Sequence, residues 1–225
     1  MPGRTIAIGD VHGCSKALSA LLDAIDAQPD DTIVTLGDYI DRGLDSRGVL
    51  NLLIALDERC RLIPLMGNHD RMLLDIFAPA RRGRSGLSRE IWLGCGGVAT
   101  LQSYGDLDHP NDIPEEHIAF LHSCRLYHES DTHLFMHANY QPDRPLSEQS
   151  VGMLLWESLR SDIPEPHISG KTAIVGHTSQ KSGEVLDLGY LLCIDTYCYG
   201  GGWLTALDVD TKQVWQANER GELRR

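Results

Sequence analysis

The chain has 225 residues, 42% of them apolar, and a formal net charge of −12. A chain of this length hides about 70–75% of its unfolded surface in a core, so residues 1–225 are expected to form a single domain without disulfides. The acidic balance argues against general affinity for nucleic acid or anionic membrane, and no apolar run approaches the roughly 20 residues of a membrane span. No basic, apolar leader opens the chain, and the six scattered cysteines form no Cys-x-x-Cys pair, so reduced thiols in a cytoplasmic protein are expected.

In chain order, Ile6-Ala7-Ile8 reads as a strand that runs into Gly9-Asp10, with His12 close behind. Leu18, Leu21, Leu22 and Ile25 share one face of a helix, and Ile33-Val34-Thr35-Leu36 is a second strand ending in Gly37-Asp38. Val49, Leu52, Leu53 and Leu56 repeat the helical spacing before a third strand, Leu62 to Met66, delivers Gly67-Asn68-His69. This β-α-β-α-β order predicts a largely parallel start to a sheet. From Ala78 to Pro114 the pattern loosens, with Arg81 to Gly86 read as an exposed, solvated loop. Pro114-Glu115-Glu116 opens a helix carrying Ile118 and Leu121, its acids at the positive end. Leu134-Phe135-Met136 delivers His137, and Val151, Leu154, Leu155 and Leu159 suggest another helix. Ala173-Ile174-Val175 ends in Gly176-His177. Short strands over 184–188, 190–194, 204–209 and 213–216 then predict antiparallel hairpins, with Tyr199 to Gly202 turning beside the site.

Five apolar runs therefore end in residues able to bind a metal, along the sheet edge where βαβ folds place their sites. Glycine lets the backbone turn sharply and approach a ligand closely at four of them. Asp10, Asp38, Asn68, His12, His137 and His177 offer two carboxylates, an amide oxygen and three imidazoles. That set suits Mn, Fe, Zn or Co better than Ca or a lone Mg. Ser169 to Thr172 mimics the end of a phosphate-binding loop, but Glu165 stands where the first glycine belongs. No cysteine sits in a His-Cys-x5-Arg loop, which disfavours a thiol nucleophile.

Gly9-Asp10-Val11-His12-Gly13, Gly37-Asp38-Tyr39-Ile40-Asp41-Arg42-Gly43, Gly67-Asn68-His69-Asp70, His137 and Gly176-His177 stand in the order of the calcineurin-like metallophosphoesterase superfamily. The middle motif most closely resembles the serine/threonine protein phosphatase branch, in its shorter bacterial or phage form. The resemblance implies a four-layer α/β/β/α sandwich of two mixed sheets with helices outside and a dimetal site at the carboxyl edge of the strands. It implies two divalent transition metals, Mn foremost, with Fe, Zn, Co or Ni as alternatives. Asp10 and His12 would hold one, Asn68, His137 and His177 the other, and Asp38 would bridge them. A metal-bridging hydroxide would attack phosphorus directly. His69 would be the general acid, Asp41 its orienting partner, and Arg42 and Asn68 would bind the phosphate.

The expected substrates are phosphoserine and phosphothreonine proteins and small phosphate esters, turned over by a monomer. One alternative is a symmetrical diadenosine tetraphosphate hydrolase of the same superfamily, whose members typically lack the acid at Asp41. Another is a metal-binding adaptor without catalysis, against which Asp41, Arg42 and His69 argue. The chain departs from its relatives in two places. Ser158 stands two residues after Trp156 where they carry a second phosphate-binding arginine, leaving Arg160 as the candidate. Asp195-Thr196-Tyr197 replaces a common Asp-Thr-Gly.

Overall fold

The computed structural model describes residues 3–77, 89–105 and 110–225. Strand β1 (Thr5–Ile8) leads through helix α1 (Ser15–Ile25) to β2 (Thr32–Thr35), then through α2 (Ser46–Asp57) to β3 (Arg61–Pro64). The three strands pair in parallel, as the alternating pattern predicts. Helices α3 (Asn68–Phe77), α4 (Arg89–Trp92), α5 (Val98–Ser103) and α6 (Glu115–Ser123) follow. A second sheet begins with β4 (Tyr127–Glu129) and β5 (His133–Met136); α7 (Val151–Trp156) then leads to β6 (Thr172–Val175), β7 (Leu186–Asp187) and β8 (Leu191–Cys193). The last strands, β9 (Asp195–Thr196), β10 (Trp203–Asp208) and β11 (Val214–Ala217), return to the first sheet. The sheet orders are β11-β10-β1-β2-β3, with β9 on β10, and β4-β5-β6-β8-β7. Both are mixed.

The layering follows from the two-residue period of strands. Ile6, Ile8, Ile33 and Leu62 point toward α1 and α2, whereas Ala7, Val34 and Ile63 point the other way. In the second sheet Phe135, Ile174 and Leu192 meet that same inner layer, while Leu134, Met136, Ala173 and Val175 pack with Leu154 of α7. Each central strand is thus apolar on both faces, one for the opposite sheet and one for a helix. The result is the expected four layers.

Two local expectations need correction. The 151–159 pattern does not give one helix: α7 ends at Trp156, and Glu157 is extended at φ −74°, ψ 120°. Leu159 packs into the apolar cluster beneath α7 while its N–H donates to Thr178 Oγ1, so a loop fixed by tertiary contact mimics helical spacing. The stretch before Pro114 is only partly loose, since it holds α4 and α5, while Arg81 to Gly86 lies outside the described residues. The expected antiparallel hairpins are present, β7 with β8 and β10 with β11, and they divide between the sheets at Ile194, the one residue between β8 and β9. Among the described residues no helix is long and apolar enough to cross a membrane.

Phe135 is fully buried between the sheets. Phe135→Ala is expected to lower stability by about 3–5 kcal/mol, measured by chemical denaturation, because both rigid sheets resist collapse into the cavity.

Candidate metal centre

The strand ends converge. Asp10 and His12 follow β1, Asp38 follows β2, and Asn68 and His69 open α3 directly after β3. His137 follows β5 and His177 follows β6 in the other sheet. The potential ligand atoms of His12, Asp38 and His69 lie within 4.8 Å of one another, as do those of Asp38, His137 and His177. Asp38 belongs to both groups: Oδ2 is 3.3 Å from His12 Nε2 and Oδ1 is 3.6 Å from His137 Nε2. Asp10 joins the same place differently, accepting the His177 N–H at 3.0 Å.

Each of the three expected histidine ligands is oriented from behind by a backbone carbonyl. His12 Nδ1–H donates to Ile40 O at 2.9 Å, His137 Nδ1–H to Leu36 O at 2.8 Å, and His177 Nε2–H to Trp156 O at 3.2 Å. A carbonyl can only accept, so these contacts fix the tautomers and turn the remaining nitrogen lone pairs inward. There His137 Nε2 and His177 Nδ1 stand 3.0 and 3.1 Å from Asn68 Oδ1, another acceptor. Three lone pairs facing one another fit a cation between them.

The electrostatics agree with that fit. Burial, reinforced by Asp195 and Asp38, pushes the Asp10 carboxyl well above its usual range. Burial would also raise Asp38, but His137, His69 and His12 in their protonated forms outweigh it and hold its carboxyl well below the usual range. Burial, with His137 beside it, pushes His177 down to about 4, and burial lowers His137 too. Both rings are therefore neutral near pH 7 and able to ligate. Asp10, Asp38 and Asp195 are all nearly inaccessible, an arrangement that divalent cations would offset.

Beside this cluster His69 Nδ1 lies 2.8 Å from Asp41 Oδ2, both groups buried. Burial alone would lower the His69 pKa; the Asp38 charge and the Asp41 hydrogen bond outweigh it and raise it. Asp41 is itself fixed by the Thr100 hydroxyl at 2.7 Å and by Trp92 Nε1–H at 3.0 and 3.1 Å. Sequence reasoning missed Trp92 and Thr100, since α4 and α5 are too short to show a period. Arg42 reaches His12 Nε2 with Nη1 at 2.8 Å and lies over the Tyr199 ring at 4.7 Å. Arg160 sits on the exposed surface, its guanidinium donating to Ser179 O at 2.7 Å, two residues beyond His177.

The backbone here is unusual. His12, Asp38, Asp41, Arg42 and His177 all have positive φ, between 43° and 71°, although none is glycine. Such conformations persist only where surrounding bonds hold them, and they concentrate at functional sites. Neighbouring glycines make room: a Cβ on Gly176 would stand 2.1 Å from Asp10 Oδ1, and one on Gly67 the same distance from Asp38 Oδ1.

The calcineurin-like phosphoesterase family matches residues 3–204. The chain belongs to that family. This phosphoesterase is 28% identical over 273 aligned positions to a symmetrical bis(5'-nucleosyl)-tetraphosphatase of Erwinia tasmaniensis, covering 97% of the chain and 98% of the relative. Its fold is similar to a provisionally assigned diadenosine tetraphosphatase, at TM-score 0.70 and 23% identity, covering 96% of this chain and 94% of the other. It is also similar to a cold-active protein-tyrosine phosphatase of a Shewanella species, at TM-score 0.68 and 18% identity, covering 100% and 80%.

Gly176→Ala is expected to displace the Asp10 carboxylate and weaken Mn binding about 10–100-fold, the usual effect of disturbing groups that support ligands. Calorimetric titration of the metal-free protein with Mn, beside a circular dichroism spectrum showing retained fold, checks this.

Proposed function

We propose that this phosphoesterase hydrolyses phosphate monoesters with poor leaving groups, foremost phosphoserine and phosphothreonine in proteins. The observation that carries this reading is the buried His69–Asp41 pair, held by Trp92 and Thr100. A serine or threonine alkoxide is a strong base and must be protonated as it leaves, whereas a nucleoside diphosphate leaves with far less need of a proton. A carboxylate-fixed proton donor is therefore suited to the monoester.

In this reading Asp10, His12, Asp38, Asn68, His137 and His177 hold two divalent metals, most simply Mn, with Asp38 shared between them. When bound, the metals supply Lewis-acid polarisation of the phosphate and lower the pKa of water toward about 7. The Arg42 guanidinium offers a planar fork to the phosphoryl oxygens, and Asn68 adds its amide. His69 Nδ1–H is fixed on Asp41, so Nε2 presents its proton to the leaving oxygen. Arg160 is proposed as the second phosphate contact; it would have to leave the Ser179 carbonyl to serve.

The second reading is symmetrical cleavage of dinucleoside tetraphosphates, favoured by the named activity of the full-length relative from Erwinia tasmaniensis. The relative's name supports the phosphoanhydride; the acid supports the monoester. Turnover of a phosphoserine peptide and of diadenosine tetraphosphate, each with Mn, decides between them. A preference for the dinucleotide by tenfold or more in kcat/KM, about 1.4 kcal/mol, removes the protein phosphatase assignment.

Two outcomes test the roles. Chelation is expected to abolish hydrolysis and Mn to restore it, while His69→Asn keeps metal but loses about 10²–10⁴-fold on phosphoserine peptide and much less on p-nitrophenyl phosphate. Asp41 raises the His69 pKa, so Asp41→Asn should shift the alkaline limb of the pH–rate profile to lower pH. An unmoved limb would detach Asp41 from the acid.

A further inference from the structure

A cavity of about 410 Å³ opens beside the phosphate arginine, walled by Gly13 and Lys16, by Arg42 and Leu44, and by Tyr199 and Arg220. Clefts of this size take small ligands or a residue or two of a bound chain. A phosphoryl group on Arg42 would touch the wall yet occupy only a fraction of the space. The remainder is bounded by Lys16, Leu44 and Arg220 and has room for a neighbouring part of the substrate.

The wall is selective in charge. Lys16 and Arg220 are exposed and have no ion-pair partner among the described residues. With Arg42 they set three cations against the carboxylates of Asp45 and Glu219, on a chain of net charge −12. The Asp45 carboxylate is engaged, accepting from the Ser15 hydroxyl at 2.6 Å and the Gly48 N–H at 2.9 Å as the cap of α2. The wall also offers apolar contact, since Leu44 is 86% exposed.

The aromatic surface is taken. Arg42 covers the Tyr199 face at 4.7 Å, while His12 and Tyr197 meet the ring edge-on at 4.8 and 4.9 Å. A nucleobase would seek a free aromatic face. Unpaired cations around an apolar patch suit an acidic side chain on an extended peptide better.

We propose that this cavity is a substrate subsite for an acidic residue adjoining the phosphorylated residue of a peptide, with Lys16 and Arg220 as its partners. The inference rests on the phosphomonoesterase reading above and names the substrates that reading would favour.

The test uses the Mn-loaded enzyme and three phosphoserine peptides differing only in a neighbouring Glu, Ala or Lys. The ratio of kcat/KM for the Glu peptide to that for the Lys peptide should be about five- to tenfold, as two exposed charge pairs allow. It should shrink in about 0.5 M NaCl, where exposed charges are screened. In Lys16→Glu/Arg220→Glu the ratio should invert. Because both peptides meet the same preparation, partial loss of folded enzyme cancels from the ratio. Should the double variant not fold, Lys16→Gln and Arg220→Gln should each lower the ratio about two- to threefold. Peptide hydrolysis with no charge preference, or a preference that survives these substitutions, overturns the subsite and leaves the phosphomonoesterase reading intact. Hydrolysis of diadenosine tetraphosphate without turnover of any peptide overturns both.

Discussion

The rest of the structure depends on one buried carboxylate. Asp38 lies three residues beyond the end of β2 at a φ of 51°. Its Oδ1 accepts the His69 N–H at 2.9 Å, so the first residues of α3 are positioned by the atom that also faces His137 across the sandwich. Gly67 must be glycine for this approach. Asp10 and Asp195 stand close enough to raise the cost of charge in the same dry volume. Buried carboxylates without cations would protonate or draw in water, so the fold at this edge and the proposed metal content are coupled.

Much of this was legible because both signals are local. Apolar runs ending in Gly and a ligand mark the parallel strands, and the one-face spacing of Leu18, Leu21 and Ile25 marks the helix that covers them. What escaped is tertiary. Trp92 and Thr100 reach Asp41 from 51 and 59 residues away, on helices of four and six residues whose sequence shows no period. Leu159 has helical spacing yet lies in a loop fixed by a hydrogen bond to Thr178, a contact invisible before the chain folds. The crossing at Ile194 was equally hidden, because strands on either side of a sheet switch read alike.

The relatives and the chemistry pull in different directions for a physical reason. The metal cage serves any phosphoryl transfer, so its motifs specify the reaction class and leave the leaving group open. Leaving-group demand falls on the proton donor, and the proposed donor, His69, is supported by the buried Asp41. Identity of 28% along a whole chain is compatible with either substrate.

Where relatives commonly place glycine, Tyr197 takes a φ of 67°, at a cost of roughly 1–2 kcal/mol for a residue with a Cβ. The chain offsets this locally. Asp195 Oδ1 accepts the Tyr197 N–H at 3.0 Å, and Lys181 lies 5.6 Å above the ring. The ring folds so tightly over Gly200 that a Cβ there would stand 2.1 Å from it, which accounts for glycine at that point of the Gly200-Gly201-Gly202 run. The turn thereby carries Tyr199 against His12 and under Arg42. An arginine at positive φ with an exposed guanidinium would otherwise sample many orientations. Stacked on Tyr199, the guanidinium is held in place, and in the proposed phosphate-binding role it would lose less entropy on gripping its ligand. The strained tyrosine thus acts at a distance of two residues, through the ring it positions.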